Sequence, residues 1–140
     1  MQRAALSVAP VGGTVERILV VEDSGTMREW IAAALEELDR PLKLDEAASG
    51  FEALRLIPRH VYALIVTDIN MPDINGLELI SFVRNDPRYA RTPLLIVSTE
   101  SSEEDRRRGL ALGADAYLVK PFSVEDLIRA VEGLLPGRKG

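Results

Sequence analysis

The chain has 140 residues, of which 46% are hydrophobic and 28% are charged, and its net charge is −5. This length fits one soluble domain, and the acidic balance argues against a surface that binds nucleic acid. The absence of cysteine excludes disulfides, thiolate metal sites and a cysteine nucleophile. The single histidine, His60, weakens any proposal of a Ser-His-Asp triad or a histidine-rich metal site, and its neighbours indicate a surface loop.

Residues 1–16 contain a proline and two glycines and lack the continuous apolar stretch of a signal peptide. We interpret them as a flexible leader, residues 17–135 as one domain and residues 136–140 as a short tail. No apolar run approaches the roughly 18 residues that a membrane span needs. We therefore expect a cytoplasmic protein that does not insert into a membrane.

Five short apolar runs predict β-strands. Leu42–Ala47 mixes apolar and charged residues, which is typical of an edge strand. The other four runs are continuous, as in parallel strands that helices cover on both faces. They are Ile18–Val21, Tyr62–Val66, Leu94–Val97 and Ala116–Val119.

Amphipathic segments predict a helix after each strand. The predicted helices are Met27–Leu38, Gly50–Ile57, Gly76–Arg84, Ser101–Leu112 and Val124–Leu135. Regular alternation of strands and helices implies right-handed crossovers, and therefore a doubly wound α/β fold with five parallel strands and five helices.

The fourth helix differs from the others because three acidic and then three basic residues, Glu103 to Arg108, open it. Acids early and bases late suit the helix dipole, so an ordinary solvated face explains the run. The alternative is a weakly anchored helix that changes position easily, as a molecular switch requires.

Polar residues follow the carboxyl ends of four predicted strands, which is where open α/β sheets bind ligands. Each residue alone is explained by a helix cap, a turn or an ordinary surface position. Their occurrence at corresponding strand ends favours a shared site. The set is Glu22 and Asp23 after the first strand, Asp68 after the third, Ser98 after the fourth and Lys120 after the fifth.

The chemistry of this set favours phosphoryl transfer to a carboxylate. Three neighbouring carboxylates repel one another unless a cation compensates, and oxygen ligands without histidine or cysteine favour Mg²⁺. Lys120 and Ser98 offer a positive charge and a hydrogen bond to phosphoryl oxygens. Asp68, at the end of the central strand, is the best placed nucleophile for forming an acyl phosphate.

These residues resemble the receiver domain of bacterial response regulators. The motifs are Val21-Glu22-Asp23-Ser24, Asp68-Ile69-Asn70-Met71-Pro72 with Gly76, Ser98, and Lys120-Pro121-Phe122. Two further segments, Thr26-Met27-Arg28 and Asn70 to Leu79, are most similar to the CheY-like members that act alone in chemotaxis. The resemblance covers residues 17–135 and implies the strand order 2-1-3-4-5.

The resemblance also implies a role for each matching residue. A histidine kinase would phosphorylate Asp68, and Ser98 and Lys120 would contact the phosphoryl group. Tyr117 would change rotamer as Ser98 moves, and the Lys120–Pro121 bond would be cis. The residues implied for Mg²⁺ are Asp23, Asp68 and the backbone carbonyl of Asn70 directly, and Glu22 through water.

The sequence departs from the family pattern at three positions. Glu22 stands where Asp is commoner, and Ser98 stands where Thr is commoner. Thr99 replaces a small residue beside the phosphoryl site, so we expect Thr99→Ala to speed phosphorylation or dephosphorylation. We expect Asn70 and Glu100, with Thr99, to modulate access to the site.

The resemblance implies a monomeric switch with slow self-dephosphorylation rather than an enzyme. Phosphorylation would shift a pre-existing equilibrium and change the surface of the fourth helix, fifth strand and fifth helix, where a downstream protein binds. Shifting the ratio of active to inactive conformations from 1:99 to 99:1 needs about 5.5 kcal/mol. One charge-assisted hydrogen bond from Ser98 supplies about 1.5–3 kcal/mol, so partner binding would complete the shift. The CheY-like segments favour chemotaxis or motility.

Three other functions remain as alternatives. A Mg²⁺-dependent phosphohydrolase that forms an aspartyl phosphate usually has a second Asp two residues after its nucleophile, where this chain has Asn70. A flavodoxin-like FMN carrier would need a phosphate loop without acids, and Glu22 and Asp23 would repel the phosphate. A pseudo-receiver that only binds partners would not need the intact acidic set.

Overall fold

The computed structural model of the chain describes residues 15–135. The predicted leader and tail therefore lie outside the described residues, apart from Val15 and Glu16. Within residues 15–135, five strands alternate with five α-helices, and a short 3₁₀ helix, Ile57–Arg59, follows the second α-helix. The elements are β1 (Glu16–Val21), α1 (Gly25–Leu35), β2 (Leu42–Ala47), α2 (Gly50–Leu56), β3 (Leu64–Asp68), α3 (Gly76–Asn85), β4 (Leu94–Ser98), α4 (Glu103–Leu112), β5 (Ala116–Val119) and α5 (Val124–Leu134).

The five strands form one parallel sheet in the order β2-β1-β3-β4-β5. This confirms the predicted doubly wound fold with the order 2-1-3-4-5, and β2 lies at an edge as its mixed composition indicated. Strand β3 starts later than predicted, at Leu64, and continues to Asp68, which pairs with Val97 of β4. Strand β4 likewise includes Ser98, which pairs with Val119. Asp68 and Ser98 are thus the last residues of their strands rather than loop residues.

Alternate strand residues pack into two hydrophobic cores, one on each face of the sheet. On β1, Ile18 and Val20 face one core and Leu19 and Val21 face the other, and all four are fully buried. Helices α1 and α5 cover the first core, and α2 and α3 cover the second. The continuous apolar runs are therefore explained by burial on both faces.

A side chain caps the N-terminus of every α-helix, which explains why the helices begin where they do. Asn75 and Ser123 take part in capping boxes with Glu78 and Asp126, respectively. Serines cap the other three helices: Ser24 for α1, Ser49 for α2 and Ser102 for α4. Across residues 15–135, none of the helices combines the length and apolar composition that a membrane span requires.

Candidate functional site

Three carboxylates meet at the carboxyl edge of the sheet. Glu22 follows β1 directly, Asp23 comes next, and Asp68 ends the adjacent strand β3. One carboxylate oxygen from each lies within 4.8 Å of the others. Glu22 and Asp68 are buried, whereas Asp23 is exposed. The structure therefore brings together the three acidic residues that the sequence predicted.

The backbone around Asp68 holds its carboxylate in a defined orientation. The Ile69 amide donates to Asp68 Oδ1 at 2.7 Å, and the Thr67 hydroxyl donates to the Asp68 carbonyl oxygen at 2.9 Å. A Cβ on Gly76 would overlap that carbonyl oxygen and lie 2.9 Å from Ile69 Cα. Only glycine can start α3 this close to β3, so Gly76 allows the loop after Asp68 to bring the start of α3 against the end of β3.

Lys120 supplies positive charge to this cluster from the end of β5. Its Nζ lies 2.8 Å from Glu22 Oε1 and 3.4 Å from Asp68 Oδ2, and its side chain is only 11% exposed. The Lys120 amide donates to the Ser98 carbonyl oxygen at 2.8 Å, and the Lys120–Pro121 bond is cis, as the resemblance implied. Lys120 and Asp68 therefore share one site.

The site contains more negative charge than Lys120 balances. Burial, together with the charge of Asp68, raises the pKa of Glu22 although the Lys120 ammonium opposes the change. Burial alone would lower the pKa of Lys120, but its contacts with Glu22 and Asp68 outweigh this and raise it. Clustered oxygen ligands with a shortage of positive charge fit a hard divalent cation.

Ser98 and Tyr117 are joined through the loop after β4. The Glu100 amide donates to the Ser98 hydroxyl oxygen at 3.0 Å, and the Tyr117 hydroxyl donates to the Glu100 carbonyl oxygen at 2.7 Å. Ser98 is fully buried and Tyr117 is 7% exposed. Burial raises the pKa of the Tyr117 phenol. The structure thus records Tyr117 turned inward and linked to the same loop as Ser98.

Asn70, Thr99 and Glu100, which we expected to modulate access to the site, differ in their contacts. The Asn70 amide nitrogen donates to Glu100 Oε2 at 3.1 Å, which connects the loop after β3 to the loop after β4. Thr99 lies between Ser98 and Glu100 and is exposed. Asn70 and Glu100 therefore bridge two loops that border Asp68.

The contacts of two supporting residues were not predicted from the sequence. Arg28 Nη1 donates to the Glu22 carbonyl oxygen at 2.8 Å while its Nε donates to Glu46 at 3.1 Å. Asp73 accepts from the Gly50 and Phe51 amides at 3.1 and 2.9 Å, which fastens the loop after β3 to the start of α2. Both residues occur in the CheY-like segments, and that was the only signal in the sequence that marked them.

The comparison with known proteins identifies the family. The response regulator receiver domain model matches residues 18–132. A chemotaxis protein CheY homologue from Campylobacter jejuni is 38% identical, over 85% of this chain and 92% of that protein. The chemotaxis response regulator CheY4 of Vibrio cholerae has a solved structure with a TM-score of 0.79 and 34% identity, covering 87% of this chain and all of that one.

Other relatives are longer proteins. A gliding motility regulatory protein from Myxococcus xanthus is 40% identical over 84% of this chain, but the match spans only 15% of that protein. The chain spans about half the length of the transcriptional regulators that it matches. The fold, the strand-end cluster and these matches together show that the chain belongs to the receiver domain family of two-component response regulators.

Proposed function

We propose that this receiver domain accepts a phosphoryl group on Asp68 from a histidine kinase and thereby changes its affinity for a downstream protein. The observation that carries the proposal is the position of the Asp68 carboxylate. Its Oδ1 is held by the Ile69 amide, its Oδ2 faces Lys120, and the Glu22 and Asp23 carboxylates are its neighbours.

The transfer is a displacement at phosphorus. An Asp68 carboxylate oxygen forms the new bond to phosphorus, and the bond between phosphorus and the imidazole nitrogen of the donor histidine breaks. The donor leaves as a neutral imidazole once it has taken up a proton. Water later hydrolyses the acyl phosphate, which releases inorganic phosphate and restores the Asp68 carboxylate. The chain is thus a slow self-hydrolysing acceptor rather than an enzyme that turns over a separate substrate.

Mg²⁺ is the cation that fits the acidic cluster, because the available ligands are hard oxygen atoms. Asp23, Asp68 and the Asn70 carbonyl would hold it directly, and Glu22 would hold it through water. When bound, the ion neutralises charge on the phosphoryl oxygens. Among the chain's own groups, Lys120 offers its ammonium to a phosphoryl oxygen, and Ser98 offers its hydroxyl once it is free of the Glu100 amide.

The output would pass from Ser98 to Tyr117 through Glu100. A Ser98 hydroxyl that donates to the phosphoryl group draws the loop after β4 toward Asp68, and Glu100 carries the hydrogen bond of Tyr117 with it. This biases an existing equilibrium at the surface formed by α4, β5 and α5. Ser98 alone provides about 1.5–3 kcal/mol, so partner binding completes the change.

Motility is the pathway that the relatives favour. One relative is named for chemotaxis and another for gliding motility, and the chain resembles both at 38–40% identity. We propose that the chain works as a monomer in the cytoplasm, takes its phosphoryl group from the kinase of such a pathway and delivers the signal to a motility component. The longer relatives show that the same domain also occurs within larger proteins.

The test is the intact mass of the protein after incubation with Mg²⁺ and acetyl phosphate. We expect a labile gain of one phosphoryl group that needs Mg²⁺ and is absent from Asp68→Asn. Phosphorylation of Asp23→Asn should need far more Mg²⁺. Asp39 is an exposed aspartate, and Asp39→Asn should behave as wild type.

Two results would contradict the proposal. A gain that persists in Asp68→Asn would place the chemistry on another residue. No gain in the wild type, either with acetyl phosphate or with a panel of purified phosphohistidine donors, would instead indicate a pseudo-receiver that only binds partners.

A further inference from the structure

The peptide bond between Glu22 and Asp23 is held by a side chain of α1. Arg28 Nη1 donates to the Glu22 carbonyl oxygen at 2.8 Å. Side chains of a helix lean toward its N-terminus, so an arginine in the first turn of α1 can reach back over the loop that joins β1 to α1. The Glu22 carbonyl and the Asp23 amide belong to one planar peptide unit. Arg28 therefore fixes the orientation of the backbone from which the Asp23 side chain extends.

Three further contacts fix Glu22, whereas the Asp23 side chain is exposed. The Glu22 amide donates to the Ala47 carbonyl oxygen at 3.0 Å, and the Ser24 amide donates to Glu22 Oε2 at 3.2 Å. Lys120 pairs with Glu22 Oε1. The position of the Asp23 carboxylate depends on the backbone that carries it, and Arg28 bonds to that backbone directly.

Glu46 on β2 directs the Arg28 side chain and compensates its charge. Arg28 Nε donates to Glu46 Oε1 at 3.1 Å, in an ion pair whose side chains are 21% and 40% exposed, respectively. A pair with this exposure adds little stability, so stability is a weak explanation for it. An uncompensated guanidinium beside the site carboxylates would compete with a cation for them. The pair with Glu46 keeps Arg28 on the backbone carbonyl.

We propose that Arg28, held by Glu46, is a positioning residue that sets the Mg²⁺ affinity of the site through the peptide between Glu22 and Asp23. The inference rests on the proposed function, in which Asp23 is a direct ligand of Mg²⁺. Partners that hydrogen-bond to metal ligands from outside the ligand set commonly change metal affinity by about 10- to 100-fold. Arg28 is such a partner, and it acts on a backbone carbonyl instead of on the side chain of a ligand.

The direction of the change in Mg²⁺ affinity separates positioning from a simple effect of charge. Loss of a positive charge near the cation would by itself tighten Mg²⁺ binding in Arg28→Met. Positioning predicts the opposite, and the Mg²⁺ dissociation constant of Arg28→Met should rise about tenfold. Arg28→Lys keeps the charge but loses the planar fork of donors, so it should recover only part of this loss. Isothermal titration calorimetry of the 140-residue chain measures these constants.

Glu46 is tested alone and together with Arg28. Glu46→Ala releases the guanidinium from its partner, so the Mg²⁺ dissociation constant should again rise about tenfold. The double variant, Arg28→Met with Glu46→Ala, should bind Mg²⁺ about as weakly as Arg28→Met alone, because Glu46 acts through Arg28. Losses that add in the double variant would show that Glu46 acts through its own charge and would overturn its part in the inference.

Arg17 provides the matched control. It also joins β1 to β2 through an ion pair, with its Nη1 3.0 Å from Asp45 Oδ1, but it lies near the start of β1 rather than at the carboxyl end. Arg17→Met therefore removes the same kind of contact away from the site. The Mg²⁺ dissociation constant of folded Arg17→Met should equal that of the wild type.

NMR of the metal-free protein tests the contact without Mg²⁺. Arg28→Met should shift the signals of the Glu22 carbonyl carbon and the Asp23 amide nitrogen, whereas Arg17→Met should leave both in place. Unchanged signals in folded Arg28→Met, or Mg²⁺ binding that is unchanged or tighter, would overturn the inference, as would a wild type that binds no Mg²⁺. A wild type that binds Mg²⁺ but accepts no phosphoryl group would instead refute the proposed function, and the affinities would still decide the role of Arg28.

Discussion

Two clusters of charged and hydroxyl side chains occupy different parts of the sheet and are balanced differently. The site cluster, comprising Glu22, Asp23, Asp68 and Lys120, has three carboxylates and one cation. The Asp45 cluster comprises Arg17, Asp45, His60 and Tyr62 and has one carboxylate. Arg17 Nη1 lies 3.0 Å from both Asp45 oxygens, the Tyr62 hydroxyl donates to Oδ2 at 2.7 Å, and His60 Nε2 lies 3.9 Å away.

The pKa shifts of Asp45 and Glu22 show the effect of this difference in charge balance. Burial alone would raise the pKa of Asp45, but hydrogen bonds from Tyr62 and Arg17 outweigh it and lower the pKa. In the site cluster, burial prevails and the pKa of Glu22 is raised. A cluster whose charges are matched stabilises the fold, whereas a cluster with unmatched charge is available to bind a cation or a ligand. The following variants test this distinction.

We expect the largest effect from Lys120→Met, which removes the cation that pairs with the carboxylates of both Glu22 and Asp68. Phosphorylation by acetyl phosphate should slow by about a hundredfold, comparable to the loss of one transition-state donor. In buffer without divalent ions, the free energy of unfolding should fall by about 3 kcal/mol at pH 8. The loss should be smaller at pH 5, where Glu22 takes up a proton more readily. Urea unfolding and phosphorylation kinetics measure the two effects.

Lys43→Met is the control for this variant, because Lys43 is an exposed lysine on β2. It should leave both the stability and the phosphorylation rate unchanged. Equal losses for the two lysine variants would show that charge imbalance in the site cluster is not the cause.

Asp45→Asn should have the next largest effect, and only on stability. Loss of the charge-assisted hydrogen bonds from Arg17 and Tyr62 should lower the free energy of unfolding by about 2 kcal/mol. At a temperature where both proteins are folded, the rate of Asp68 phosphorylation should equal that of the wild type. Asp39→Asn serves as the control for a change of net charge. A slower phosphorylation rate in Asp45→Asn would mean that the two clusters are not independent.

Tyr62→Phe should produce a smaller loss than Asp45→Asn because Arg17 continues to pair with Asp45. We expect the free energy of unfolding to fall by about 1 kcal/mol, the net value of one hydrogen bond. Tyr89→Phe leaves the Asp45 cluster intact and is the control. Chemical denaturation at pH 7 measures the difference, and equal values for the two variants would indicate that the Tyr62 hydroxyl contributes no stability.

The smallest expected effect is the change that the Asp45 cluster causes in the free energy of unfolding as the pH falls. Asp45 has a folded-state pKa below its ordinary value of 3.8, so its carboxylate stabilises the fold above that pH. This contribution is lost as the pH falls through the folded-state pKa. The unfolding free energies of wild type and Asp45→Asn should therefore differ most at pH 5–7 and converge as the pH falls below 3.8. A constant difference from pH 7 to pH 3 would contradict the assignment.

The sequence alone was sufficient to predict the fold and the members of the site. Apolar runs and helical periodicity are local signals, and they located the five strands and five α-helices of residues 15–135 with small errors at the ends. Carboxyl ends of parallel strands share one edge, so strand positions were enough to predict that Glu22, Asp23, Asp68 and Lys120 would lie close together. Their roles in phosphoryl transfer stay predictions.

Tertiary packing alone decided the contacts between residues far apart in the chain. His60 lies in a loop, as predicted, but it is half-buried and packs edge-on against Tyr62 near Asp45. The approach of α4 to Tyr117 likewise depends on how the helix docks on the sheet. Periodicity shows which residues are buried but not which distant side chains they meet, because those pairs depend on the relative positions of elements that only the folded chain sets.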